Sequence, residues 1–379
     1  MCMALLQNTV RACGIGTRVR FCPLGEAENL LKTLLPCGRA AVFADEGAPL
    51  MRVRARLAAY RPVCCVVGKE PLSGLFSLPD EVRAVVALGR RSIFAARFFA
   101  SLRGGFVLAV PLAASAEGLF EAALPKGYAQ AGYPLRAPDV VLADETLLAA
   151  RAEAVGFAAL SALCAEDLAL HALFAGGEDG AAFVRAAEAL PAGGESAGGL
   201  FCVCSLLRLA LRTAPAMPAV RAAEAAEDGY ALFSCFAARY AHFLEREEPR
   251  RFFVPDYTGR ALHAAQVYGE RAAALLENIA VPTAAECRRR AEIFAQARAK
   301  LRVRGELLRA FAQKAGRLYA AHGGRVRAGE SGQAAALYEC AAELSPLLSV
   351  PALQRDFGLL EPPPQDSCSA EHMRTAAMQ

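Results

Sequence analysis

Two groups of side chains have the types and spacing to do chemistry. The chain has five histidines, and Asp167 and His171 stand i, i+4 on a predicted helix, so both point to one face and could offer two donors to a cation. His242 and His263 would extend them to a displaced set of four. A divalent ion held by three side chains, with one position left open, polarises a bound oxygen. The plain alternative is an exposed or N–H-bonded helix pair at 167 and 171 and hydrogen-bonded histidines at 242 and 263. The second group is Gly89-Arg90-Arg91-Ser92, directly after an apolar run, with Asp45 ending another. A glycine-rich turn lets backbone amides approach a phosphate; here two guanidinium groups follow the glycine, able to pair with phosphate while their bulk opposes close backbone approach. Asp45 can accept from a ribose hydroxyl or cap a helix, and Ser92 and Ser115 can cap as well.

The elements that must position these residues follow from hydropathy. Ala40-Ala41-Val42-Phe43-Ala44, Pro62 to Val67, Ala84 to Leu88 and Gly105 to Val110 are short, continuous apolar runs, the pattern of strands covered on both faces. Helical stretches such as Leu50 to Tyr60 and Ser92 to Leu102 separate them, which implies a parallel, doubly wound sheet with ligands at the carboxyl ends of its strands, at Asp45, Gly68, Gly89 and Pro111. From about Glu145 the strand pattern stops and an Ala-, Leu- and Arg-rich helical pattern begins. The organisation predicted is a Rossmann-like nucleotide-binding domain over 1–144, an all-helical metal and substrate domain over 145–362, and a flexible, proline-led tail over 363–379 that includes His372.

Composition narrows the function classes. Of 379 residues, 55% are apolar and 21% charged, and Lys+Arg 42 against Asp+Glu 38 gives a net charge of +4, too even a balance for a dedicated nucleic-acid binder. The longest apolar run, around Phe106 to Ala116, is about half the ~20 residues a membrane helix needs, so no membrane is expected. Met1 to Val10 lack the basic start and apolar stretch of a secretion signal. Thirteen cysteines sit mainly in apolar runs and read as buried free thiols of a cytoplasmic protein. Cys202-Val203-Cys204 is one residue short of a zinc or redox pair. Arg288-Arg289-Arg290 reads as a solvated helix face.

In order and spacing, several segments together resemble one family. They are Ala44-Asp45-Glu46, Val86 to Ile93, Val110 to Gly118, Pro138 to Asp144, His242-Phe243-Leu244-Glu245, Leu262 to Val267 and Asp356 to Leu360. Over about residues 38–362 the chain resembles the superfamily of iron-containing alcohol dehydrogenases, glycerol dehydrogenases and dehydroquinate synthases, and within it sn-glycerol-1-phosphate dehydrogenases. The resemblance implies a dehydroquinate synthase-like fold and NAD(P)-linked hydride transfer on a small polyol or polyol phosphate. It also implies a divalent metal (Zn, Ni or Fe) on one Asp and two His. Carried over position by position, His263 matches the last metal ligand and His242 a non-ligating histidine. The first histidine ligand falls on Ala238, and the aspartate on Ala159 or Phe157. Asp45, Gly89, Ser92 and Ser115 match cofactor positions, and Glu117 lies in the substrate-side loop. Ala95 stands where an aspartate is usual and Leu112 where a threonine is.

Two functions are therefore expected. The first is a degenerate member that has lost its catalytic metal and binds a nucleotide or polyol phosphate without catalysis. The second is an active NAD(P)-dependent oxidoreductase on glycerol 1-phosphate, dihydroxyacetone phosphate or a related polyol, with His263 and His242 as electrophile and proton relay. A homo-oligomer is compatible with either.

Overall fold

The computed structural model describes residues 2–34, 38–68, 78–122, 134–177, 180–214, 217–249, 257–269, 281–325 and 332–360, with residues 72, 75, 272 and 276. The expected tail from 363 and His372 lie outside them. In chain order the elements are α1 (Cys2–Ala12), β1 (Arg18–Phe21), α2 (Ala27–Leu34), β2 (Arg39–Asp45), α3 (Leu50–Arg56), β3 (Val63–Val67), β4 (Val82–Leu88), α4 (Arg90–Arg103), β5 (Phe106–Val110) and β6 (Val140–Ala143). Helices follow: α5 (Ala152–Ala175), α6 (Ala181–Gly193), α7 (Ala197–Thr213), α8 (Pro218–Ala223), α9 (Gly229–Arg246), α10 (Tyr257–Tyr268), α11 (Ala284–Ala321), α12 (Gly332–Ala341) and α13 (Val350–Asp356).

The six strands form one parallel sheet in the order β1-β6-β5-β4-β2-β3. The alternation of side chains across the pleat explains the layers. Ala40, Val42, Ala44, Ala84, Val86, Leu88, Leu108, Val110, Val140 and Leu142 share one core with Leu31 of α2 and Val53 of α3. Ala41, Phe43, Val85 and Ala87 are equally buried and face the other way, where α4 packs on β2, β4 and β5. The four strands expected from hydropathy are present. β1 and β6 are additional: Arg18 and Arg20 interrupt the first, and the second is apolar and buried throughout but only four residues long. β3 is an edge strand, and its Val66 is 63% exposed.

Packing divides the chain into two compact units that interleave in sequence. Residues 1–161, 182–215 and 314–326 form the sheet-containing unit; 162–181, 216–313 and the described residues from 332 to 360 form the helical one. Among the described residues the strands end at Ala143 and everything after is helix or loop. The helical unit is built around α9, where Phe236 meets Tyr338 edge-on at 4.8 Å and Phe243 lies 5.0 Å from Phe294 and 6.3 Å from Phe357.

Helix α5 corrects one expectation. Its 24 residues are long and apolar enough by length and composition to cross a membrane. Alanines spread that hydropathy over the helix without a conspicuous run of large side chains. Of its most apolar window 67% is buried within the protein, and Glu166 and Asp167 lie in the helix.

Candidate functional site

The sheet's strand order reverses between β2 and β4: the chain leaves β2 for β3 on one side and returns to β4 on the other. The carboxyl ends of strands at such a switch point form the crevice that binds ligands in doubly wound folds. Here that crevice is bounded by Asp45, Gly89 and the start of α4. Gly89 adopts φ 98° and ψ 172° as the N-cap residue of α4, a backbone that L side chains rarely take. Its amide donates to the Val110 carbonyl at 3.0 Å.

Asp45 reaches across from β2 and caps α4. Its Oδ2 accepts from the Arg91 amide at 3.1 Å, and its Oδ1 accepts from the Ser92 amide at 2.8 Å and the Ser92 hydroxyl at 2.7 Å. The capping alternative left open by the sequence is the arrangement present, and Ser92, fully buried, serves Asp45. A cofactor's diphosphate resting on the α4 amides does not fit this arrangement, because the Arg91 and Ser92 amides are taken by Asp45.

Arg90 is 54% exposed, and its Nε lies 2.8 Å from Glu117. Arg91 is exposed as well. Glu117, 34% exposed, also faces Arg208 at 3.4 Å. Arg208 pairs with Glu121 at 2.8 Å and donates from Nε to the Ser115 carbonyl at 2.7 Å. Ser115 thus enters the crevice wall through its backbone. Arg208 also lies over the Phe157 ring at 4.2 Å, so one of the two positions matched to the missing aspartate carries an aromatic platform, and the other, Ala159, is buried.

Below this surface Arg97 is fully buried and donates to the carbonyls of Gly118 at 2.6 Å, Arg136 at 2.8 Å and Glu121. Burial pulls its pKa down to about 10, which leaves it charged at neutral pH. Arg97, Arg208 and Glu121 were absent from the sequence expectations. The available signal was an arginine inside an apolar helical run, Ala96-Arg97-Phe98 and Leu207-Arg208-Leu209, since a buried charge needs a partner.

In the helical unit, Asp167 is completely buried. Its Oδ2 accepts from the Tyr240 hydroxyl at 2.8 Å and its Oδ1 from the Val350 amide at 2.9 Å. Burial, opposed by those two hydrogen bonds, pushes its pKa up to about 7. One helical turn on, His171 Nδ1 accepts from the Leu348 amide at 3.1 Å, and burial lowers its pKa. The pair holds the chain leading into α13, as the N–H-bonded alternative has it. His242, 56% exposed, lies 3.2 Å from Glu247. His263 has a buried Nε2 with no hydrogen-bond partner, and burial, reinforced by Arg260, lowers its pKa.

His242 and Ala238 line an open cavity of about 530 Å³ with Arg239, Glu247, Tyr338, Glu339 and Gln354. Its polar groups hold one another: the Tyr338 hydroxyl donates to Gln354 at 2.5 Å, Gln354 donates to Glu247 at 3.0 Å, and Arg239 pairs with Glu339. Among the described residues no three His, Cys, Asp or Glu side chains converge as a cation site requires, so the structure does not bring Asp167, His171, His242 and His263 together. The residues present do not fit the three-donor metal site implied by the resemblance.

One surface expectation changes. Arg288 and Arg289 are exposed, but Arg290 is turned inward onto buried Asp356 at 2.6 Å. Cys202 and Cys204 are buried free thiols, as their sequence setting implies.

Comparison with known proteins finds no matching family model and no matching curated protein. Solved structures do match. A maleylacetate reductase from Agrobacterium tumefaciens is 15% identical, with 91% of this chain and 97% of that one covered at a TM-score of 0.47. An iron-containing alcohol dehydrogenase from Thermococcus thioreducens is 14% identical, with the same coverage and TM-score. A glycerol dehydrogenase from Schizosaccharomyces pombe is 14% identical over 92% of this chain and 93% of that one, with a TM-score of 0.44. At this identity and TM-score the likeness carries no argument about activity; the chain's chemistry has to be read from its own side chains.

Proposed function

We propose that this chain is a divergent member of the polyol dehydrogenase superfamily that binds a small phosphorylated polyol, or the phosphate of a nucleotide, without metal-dependent hydride transfer. The observation that carries this reading is the pair of exposed arginines, Arg90 and Arg91, at the switch-point crevice, where phosphate can be read by side chains. Beside them Glu117, paired with both Arg90 and Arg208, offers a carboxylate that can accept from a polyol hydroxyl. The commitment of Asp167 to Tyr240 and Val350, and of His171 to Leu348, supports the non-catalytic half of the reading. Free thiols at the described cysteines support a cytoplasmic setting.

Isothermal titration with sn-glycerol 1-phosphate tests it. The expected result is saturable binding that weakens at least about tenfold in the R90A/R91A double variant, the loss of two charge-assisted contacts. Binding unchanged in that variant, or absent in the native protein, overturns it. The second reading, an active NAD(P)-dependent oxidoreductase, is favoured by one observation, the unpartnered Nε2 of His263. It requires polyol-dependent reduction of NAD(P) that is lost in H263A.

A further inference from the structure

We propose that Asp45 is the specificity-determining residue of the switch-point crevice. As a resident anion on the amino terminus of α4 it excludes diphosphates and dinucleotides, and leaves the crevice to a ligand with a single phosphate held by the Arg90 and Arg91 side chains. The inference rests on the phosphate-binding reading above for its ligand; its exclusion half stands on Asp45 alone.

A helix amino terminus attracts anions because its first amides have no partner within the helix and the helix dipole adds positive potential. At the start of α4 the amides of residues 89, 91 and 92 are spoken for. Gly89 donates to Val110, and Arg91 and Ser92 donate to Asp45, with the Ser92 hydroxyl adding a third hydrogen bond to the same carboxylate. A ligand diphosphate arriving there meets a fixed negative charge at contact distance and no free donor from residue 91 or 92. Such a site rejects the ligand by repulsion as well as by lost hydrogen bonds.

The pattern Gly-Arg-Arg-Ser acquires a physical reason. A side chain on residue 89 would place its Cβ 2.5 Å from Asp45 Oδ2, at a φ of 98°. Glycine at 89 is therefore required by the protein's own carboxylate. Residues 90 and 91 already lie in helix α4, and with no phosphate backed against them nothing demands that they be small. Their exposed guanidinium groups, Arg90's paired with Glu117, can then carry the recognition that backbone amides would supply elsewhere.

Calorimetric titration of the full chain with ADP, NAD+ and sn-glycerol 1-phosphate, in native, D45A and D45N proteins, tests the proposal. The native protein should bind ADP and NAD+ at least about tenfold more weakly than D45A does. D45N, which keeps an acceptor for the Ser92 amide without the charge, should fall between them and preserves the cap should D45A fold poorly. Native protein that binds ADP or NAD+ as tightly as D45A, or loses that binding in D45A, overturns the inference and makes Asp45 a ligand contact. Failure of the native protein to bind glycerol phosphate overturns the phosphate-binding reading instead; a gain of ADP binding in D45A would still uphold the exclusion.

Discussion

A carboxylate's role in this protein is decided by what reaches it. Asp45 and Asp167 are both strongly hydrogen-bonded, yet Asp45 sits at the end of a strand among amides that would otherwise seek an anion, while Asp167 is sealed among Tyr240, Cys164 and the backbone of α13. For Asp167 burial outweighs its two donors and raises its pKa from 3.8 to about 7. Between those values the folded chain holds a proton that the unfolded chain has released. Its contribution to stability is thus full below pH 3.8 and is lost as pH rises through about 7. D167N keeps an acceptor for Val350 and a polar partner for Tyr240 without ionising. Relative to the native protein it should gain roughly 3 kcal/mol between pH 5 and 8, two units at about 1.4 kcal/mol each. Urea denaturation at the two pH values reads this directly, and parallel pH dependence in both proteins would refute it.

At the scale of elements, α4 does two jobs from its two ends of burial. Its amino terminus receives Asp45, and about two turns from the helix start Arg97 reaches through the interior to hold the segment from Gly118 to Glu121 and the chain at Arg136. Ala116 and Gly118 in this segment have positive φ, 55° and 86°, and the Gly118 backbone packs against the Arg90 carbonyl. The loop that carries Glu117 is thus shaped by a charge from a helix. R97M should cost about 3–5 kcal/mol, because several buried carbonyls lose their donor at once. The urea midpoint should fall accordingly, and glycerol phosphate affinity should fall with it as Glu117 loses its support. A variant with native stability would show that the loop holds itself.

For the whole molecule, the two units divide the candidate chemistry. The sheet unit carries the arginines and Glu117; the helical unit carries the histidines, whose nitrogens are spent on Leu348, paired with Glu247 or, at His263 Nε2, left without a partner. Purified native protein should accordingly hold less than about a tenth of an equivalent of Zn, Ni or Fe by elemental analysis after brief dialysis, since among the described residues fewer than three ligating side chains converge and so few bind too weakly to retain one. A stoichiometric, chelator-sensitive metal would require a donor set different from the one described.

The amino-acid sequence by itself determined the order of the architecture. Apolar runs such as Ala84 to Leu88 and Phe106–Val110 can only be strands covered on both faces, and the alanine-rich stretch beginning at Ala152 can only be helix. It also determined which positions lack a donor atom, since alanine at 238 and 159 offers none wherever it lies. The short, charge-interrupted β1 stayed illegible because its pairing with β6 depends on a partner more than a hundred residues away. Only the tertiary structure decided what the remaining polar side chains do. Asp45 meets Ser92 across 47 residues, Asp167 meets Tyr240 across 73 and Val350 across 183. A hydrogen bond is made or refused within a few tenths of an ångström. Residue type and local period set no such distance, and the packing of elements sets it completely.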